Sequence, residues 1–223
     1  MQYCECKLFG YPEYLNSISA CINFFLCLFC ISCNMKNLET DYIFFTLQFL
    51  VVNSIFSLMM HTNGSLYYNT ITEATVIIIS CLVFYSVIKQ KPKNYKKQKL
   101  IFFKLLLFFC WSPKANFLKV FTCMTTINIM GIMTSKRVQN NTQYTLQMWN
   151  YVYMFLISAW LWILAELMCT KWTFWLHSIW NVMAMFCILC YLIEQRRISL
   201  EDQGIMTKLF FFWNCIPCIQ CEK

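Results

Sequence analysis

Seven apolar runs recur along this chain, near residues 15–33, 42–60, 71–88, 100–111, 117–133, 145–168 and 173–194. A run of about 20 apolar residues matches the hydrocarbon thickness of a bilayer. No water is available there to satisfy backbone N–H and C=O groups, so each run must close its own hydrogen bonds as a helix. Composition agrees, because 59% of the 223 residues are hydrophobic, and four Gly with four Pro are too few for a loop-rich β fold. The expected fold is all-α, a polytopic membrane protein built as a bundle of seven transmembrane helices over residues 1–195. Residues 196–223 would form a cytosolic tail containing cysteines and aromatics. The first 14 residues are polar or mixed and lead into the first run with no cleavage-site pattern, so no typical signal peptide is expected.

Charge sets the orientation. "KQKPKNYKKQK" at 89–99 carries six lysines, Lys136 and Arg137 follow the fifth run, and Arg196 and Arg197 follow the seventh. The alternate connections are poorer: "TNGSLYYN" has no positive charge and Lys171 stands alone before the seventh run. The positive-inside rule then places the N-terminus outside or in a lumen and the C-terminus in the cytosol. The fourth run is short and contains Lys104. If it did not span, six spans would remain and both chain ends would share one side. The formal charge of +8 is explained by this topology, so no nucleic-acid partner is expected.

Fifteen cysteines in a small secreted protein would suggest a disulfide scaffold, but here many lie inside apolar runs, where Cys acts as a small hydrophobe. Cys215, Cys218 and Cys221 stand at CxxCxxC spacing without an evident fourth zinc ligand. Beside aromatics and near a membrane they point to S-acylation or free thiols. The sequon at Asn63 begins two residues after His61, too close to the membrane for glycosylation, and the one starting at Asn140 falls on the cytosolic side.

Strongly polar residues inside spans are expensive and mark function by default. Ser57 and His61 stand four apart at the end of the second run, and His177 and Asn181 four apart in the seventh, so each pair shares a helix face. Glu73 opens the third run and Glu166 closes the sixth. With alternating topology His61, Glu73, Glu166 and His177 converge on the non-cytosolic side. Two imidazoles with an amide and a carboxylate are a donor set for Zn²⁺ and an activated water. The plainer reading of either histidine alone is a span-end residue that meets a carbonyl or a headgroup.

These motifs resemble the alkaline ceramidase family, seven-span amidases of the ER and Golgi, over about residues 3–195. In that family an acidic residue precedes Trp-Cys-Glu, with Asn two further on; here "QYCECK" keeps Cys4 and Glu5 but has Gln2, Tyr3 and Lys7. "EYLNSISA" keeps Glu13, Asn16 and Ser19 of a second motif. "SLMMH" supplies Ser-x-x-x-His, "AELMC" stands for Asp-x-x-Cys, and "HSIWN" stands for His-x-x-Trp-His. The family's Asp eleven residues after the first His is Thr72 here, followed by Glu73.

The resemblance implies zinc ligands at His61 and His177, with Asn181 at the third position. It implies an oxyanion hydroxyl at Ser57, proton handling near Glu73, calcium ligands at Glu5 and Glu13, and a disulfide between Cys4 and Cys169. The implied function is a zinc-dependent amidase that hydrolyses the ceramide amide to sphingosine and fatty acid. Asn181 is a weak neutral ligand where zinc prefers imidazole, Thr72 cannot act as a base, and Glu73 points about 100° round the helix. Lys7 would repel calcium, which takes six or more oxygens. The alternative is a catalytically degenerate member that binds ceramide-like lipids or regulates a partner.

Overall fold

The computed structural model describes residues 4–38, 42–89, 125, 128–129, 142–212 and 216–221. In chain order these form α1 (Cys4–Phe9), α2 (Tyr14–Leu38), α3 (Tyr42–Asn63), α4 (Leu66–Lys89), α5 (Thr142–Met168), α6 (Leu176–Glu201), β1 (Thr207–Phe212) and β2 (Ile216–Cys221). Five helices, α2 to α6, contain stretches long and apolar enough to cross a membrane. The architecture is that of a helical membrane protein. The expected spans near 100–111 and 117–133 lie outside the described residues, apart from Thr125, Asn128 and Ile129 within the second.

Helix α2 is inverted relative to the helices of a water-soluble domain. On α2 the buried stripe is small or polar: Asn16, Ser19, Asn23, Cys27, Cys30 and Asn34. Ile18, Ile22, Phe25 and Phe29 point outward and are exposed. Their spacing of three and four residues puts each set on its own face. Lipid gives large apolar side chains no reason to turn inward, so close packing and hydrogen bonding of small and polar residues hold such helices together.

That stripe meets α6. Ser178 Oγ donates to Asn16 Oδ1 (2.8 Å), Asn181 Nδ2 donates to Ser19 Oγ (3.3 Å), and Asn23 Nδ2 donates to the Asn181 carbonyl (3.1 Å). Cys27 Sγ lies 3.4 Å from Met185 Sδ one further step along. Rising residue numbers on α2 pair with rising numbers on α6, so the two helices run parallel. Such interhelical bonds average only about 0.6 kcal/mol each in lipid, and three together contribute roughly 2 kcal/mol plus register.

The C-terminal segment is not a loose tail. Beyond Arg196 and Arg197, α6 continues to Glu201, and β1 and β2 then pair antiparallel with Thr207 opposite Cys221 and Phe212 opposite Ile216. Strand β2 lies on α2 and α6, and its Ile216, Cys218 and Ile219 belong to the same buried core as Leu50, Leu189 and Leu192. The strand edge facing α2 is sealed by side chains. Asn34 Nδ2 donates to the Pro217 carbonyl and Asn34 Oδ1 accepts from Ile219 N–H, both at 2.8 Å. One turn on, Asn37 Nδ2 donates to the Ile219 carbonyl at 3.1 Å. Pro217 has no N–H to satisfy, so it suits this edge.

Cys218 is 1% exposed, so its thiol is shielded from reagents in solution. In detergent at pH 7 a maleimide is expected to label exposed Cys221 and to spare Cys218. Asn34→Leu would orphan a carbonyl and an N–H at about 1–3 kcal/mol each and release the strand. Peptide mapping should then find Cys218 labelled in the variant; labelling of Cys218 in the wild type would contradict this packing.

Candidate functional site

The site forms where helix ends meet, at the N-terminal ends of α2 and α6 and the C-terminal ends of α3 and α5. The first N–H groups of a helix lack partners within it. On α2, two of these are met from outside: Glu5 of α1 accepts from Leu15 N–H (2.9 Å) and Asn16 N–H (3.1 Å). A carboxylate at that position also complements the helix dipole. Residue 64 ends α3 in the left-handed region at φ 65°, and a Cβ there would strike the Tyr11 ring at 2.5 Å. Only glycine permits that closeness, which brings the end of α3 under the α1–α2 turn.

This turn delivers Glu13 to His61. Glu13 N–H donates to the His61 carbonyl (2.9 Å), and Glu13 Oε2 lies 2.5 Å from His61 Nδ1. Asn16 Nδ2 donates to the same carboxylate oxygen at 3.0 Å. All three side chains are almost wholly buried. Opposite them, His177 Nδ1 lies 3.4 Å from Glu166 Oε1, and Glu166 Oε2 lies 3.4 Å from Lys7 Nζ. The two imidazoles face each other with centroids 6.1 Å apart and planes at 76°. His61 Nδ1 is thus held by a carboxylate, which fixes that ring and leaves Nε2 as its outward nitrogen, whereas Glu166 only approaches His177 Nδ1 at 3.4 Å. Trp162 stacks on Trp180 at 5.7 Å and stands edge-on to His177, walling one side.

One helical turn below the histidines is a cavity of about 220 Å³. Ser57, one turn before His61, and Asn181, one turn after His177, both line it, as do Asn23, Asn53, Trp180 and Phe155. Ala20 and Ala184, small where larger residues would fill the space, also line it. Asn23 and Asn128 line the cavity too, and Oδ1 of each is buried without a hydrogen-bond partner among the described residues. Such orphaned acceptors cost about 1–3 kcal/mol each unless a ligand or water donates to them.

The structure therefore brings His61 and His177 together and adds Glu13 and Glu166 behind them. Ser57 faces the cavity. Glu73 lies on α4, where it accepts from Asn69 Nδ2 at 3.0 Å, and the Thr72 hydroxyl bonds back to the Tyr68 carbonyl. Asn181 serves as a tie to Ser19 on α2. Cys169 is disulfide-bonded and sits at φ 34°, ending α5 in a left-handed turn. Its expected partner Cys4 is in α1, with its side chain outside the described residues; α1 packs against this end of the bundle through Lys7–Glu166 and Phe9–Phe174. Sequence reasoning missed Asn23, Asn53 and Trp162, whose signal was three- and four-residue spacing from polar residues already singled out.

Metal chemistry finds a poor fit. Zinc wants three protein ligands at a catalytic site and four at a structural one. Among the described residues no group of three or more His, Cys, Asp and Glu is placed to hold an ion. The Asn181 amide is committed to Ser19, both Glu5 oxygens cap α2, and Glu13 binds His61. Neither a zinc nor a calcium site is completed by these residues. Comparison of the sequence with protein-family models and with curated proteins finds no match.

Glu13→Ala should destabilise the fold by about 2–4 kcal/mol, because it leaves buried His61 and Asn16 without their shared acceptor. Glu5→Ala should cost about 1 kcal/mol, the usual scale of a lost N-terminal cap. Thermal unfolding in detergent checks the order; equal shifts for the two variants would show that Glu13 is no keystone.

Proposed function

We propose that this chain is a ceramidase-like membrane protein that binds a ceramide-like lipid in the cavity beneath the histidine pair, without metal-dependent hydrolysis. The observation that carries this reading is the cavity itself. It is mostly apolar, sits among spans, and holds the Asn23 and Asn128 acceptors that lack a partner among the described residues. An amphiphile with hydroxyl or amide N–H donors beside an acyl chain matches that lining, since polar groups in a buried site demand partners. Binding, unlike amide hydrolysis, does not require the missing ligand and base at Asn181 and Thr72.

Seven spans, with the N-terminus lumenal and the C-terminus cytosolic in the ER or Golgi, remain part of this proposal. The parallel sense of α2 and α6 supports an odd number of crossings, and seven meets it. A second reading, hydrolysis of the ceramide amide with Ser57 as the oxyanion hydroxyl, is favoured by one observation. The His61 imidazole is buttressed by the Glu13 carboxylate, as metal-binding histidines are, and the His177 ring faces it at 6.1 Å.

Purified protein should carry a ceramide-like lipid on extraction and mass spectrometry, with little zinc on elemental analysis. Ala184→Trp, which fills the cavity, should reduce lipid retention by about tenfold, or ~1.4 kcal/mol. Near-stoichiometric zinc that disappears in a His61→Ala, His177→Ala double variant, together with fatty-acid release from ceramide, would replace this reading with the second. Retention unchanged in Ala184→Trp would move the lipid out of the cavity.

A further inference from the structure

The hairpin of β1 and β2 runs back along α2, with Pro217 deeper along the helix than Cys221. Pro217, next to the tip, lies beside Asn34 and Cys30, whereas Cys221 at the base lies beside Asn37. Cys30 is eight residues inside the end of α2, or ~12 Å of helix rise. The Phe211 ring, at 6.3 Å, meets Phe186 of α6, which lies fifteen residues before Glu201, or ~22 Å. The hairpin therefore runs back alongside two membrane-spanning helices instead of extending beyond them.

Its two strands differ in surroundings. In β2, Ile216 to Ile219 are buried and the edge toward α2 is closed by Asn34 and Asn37. In β1, Phe210, Phe211 and Phe212 are 43%, 38% and 42% exposed, three adjacent aromatics on the outer strand. Water is a poor environment for such a patch. On α2, Phe25 and Phe29 are exposed in the same way. Lys208 stands near the base, where a long side chain reaches headgroups from an apolar strand.

We propose that β1 is a lipid-facing wedge, seated among the acyl chains of the leaflet that surrounds the C-terminal ends of α2 and α6, with Lys208 at headgroup level. The proposal rests on the membrane reading of the spans. Its physical logic is that of interfacial anchors, which sink an aromatic face and keep a basic residue at the surface. The sealed β2 edge makes this feasible, because an open strand edge is not tolerated at depth in lipid. The remaining edge lies on β1, which packs beside α6.

The test places photoreactive benzoylphenylalanine singly at Phe210, Phe212, Phe25 and Gln203 of the full chain. Each protein is reconstituted in phosphatidylcholine–phosphatidylglycerol vesicles and irradiated, and its intact mass is read. Positions 210 and 212 are expected to gain the mass of one phospholipid, as Phe25 on the lipid face of α2 does, and Gln203 in the exposed turn is not. Adducts at Phe25 but none at 210 and 212 would overturn the wedge while leaving the spans intact. An adduct from 210 to a second polypeptide would assign the strand to a protein partner instead. Absence of lipid at Phe25 as well would remove the membrane reading and the proposal with it.

Discussion

Everything in this bundle depends on the seam between α2 and α6. In lipid, apolar burial does not drive helices together, so association falls to close packing and hydrogen bonds. The seam supplies both, with small or polar residues on α2 and the Ser178, Asn181 and Met185 positions of α6 facing them. It sets the register in which His177 stands opposite His61. It also keeps the Asn16 amide between Glu13 and Ser178, so a single side chain ties the histidine pair to the helix contact. The cavity lies along the same seam, roofed by that network.

Spans were readable because length and hydropathy are local properties, and the five described helices fall on the apolar runs. The meeting of His61 with His177 was also readable, since alternating topology puts both span ends on one side of the bilayer. Glu5 and Glu13 were singled out through a resemblance that gave them to calcium. The structure gives them to a helix terminus and an imidazole, uses that depend on how α1 folds over the start of α2. Asn181 was read as a missing ligand. Its position one turn from His177 was legible, but its bond to Ser19 was not, because hydrogen-bond partners some 160 residues apart leave no trace in spacing.

The hairpin was the largest omission. "TKLFFF" and "IPCIQC" lack the strict alternation of a half-buried strand, because β2 is buried on both faces from Ile216 to Ile219 and β1 is exposed at three adjacent phenylalanines. Its pairing partner along the outer edge is not a strand at all but two asparagines one turn apart on a helix. Asn34 and Asn37 carry no charge and drew no notice as intramembrane polar groups. Their role exists only in three dimensions, where one amide reproduces the donor and acceptor of a missing strand.

The seam has a consequence for biogenesis. Chains are synthesised from the N-terminus, and α2 reaches the membrane before any of its partners exist. The groups that satisfy Asn16, Asn23 and Asn34 lie between 158 and 185 residues downstream. Until they arrive, α2 carries amides into lipid that are only partly paired, through Glu13 and the Cys30 carbonyl, and Asn16 Oδ1, Asn23 Nδ2 and Asn34 Oδ1 wait for partners. Insertion of α6 and closure of the hairpin complete a helix made long before, so maturation proceeds back to front, with its last event at its oldest span.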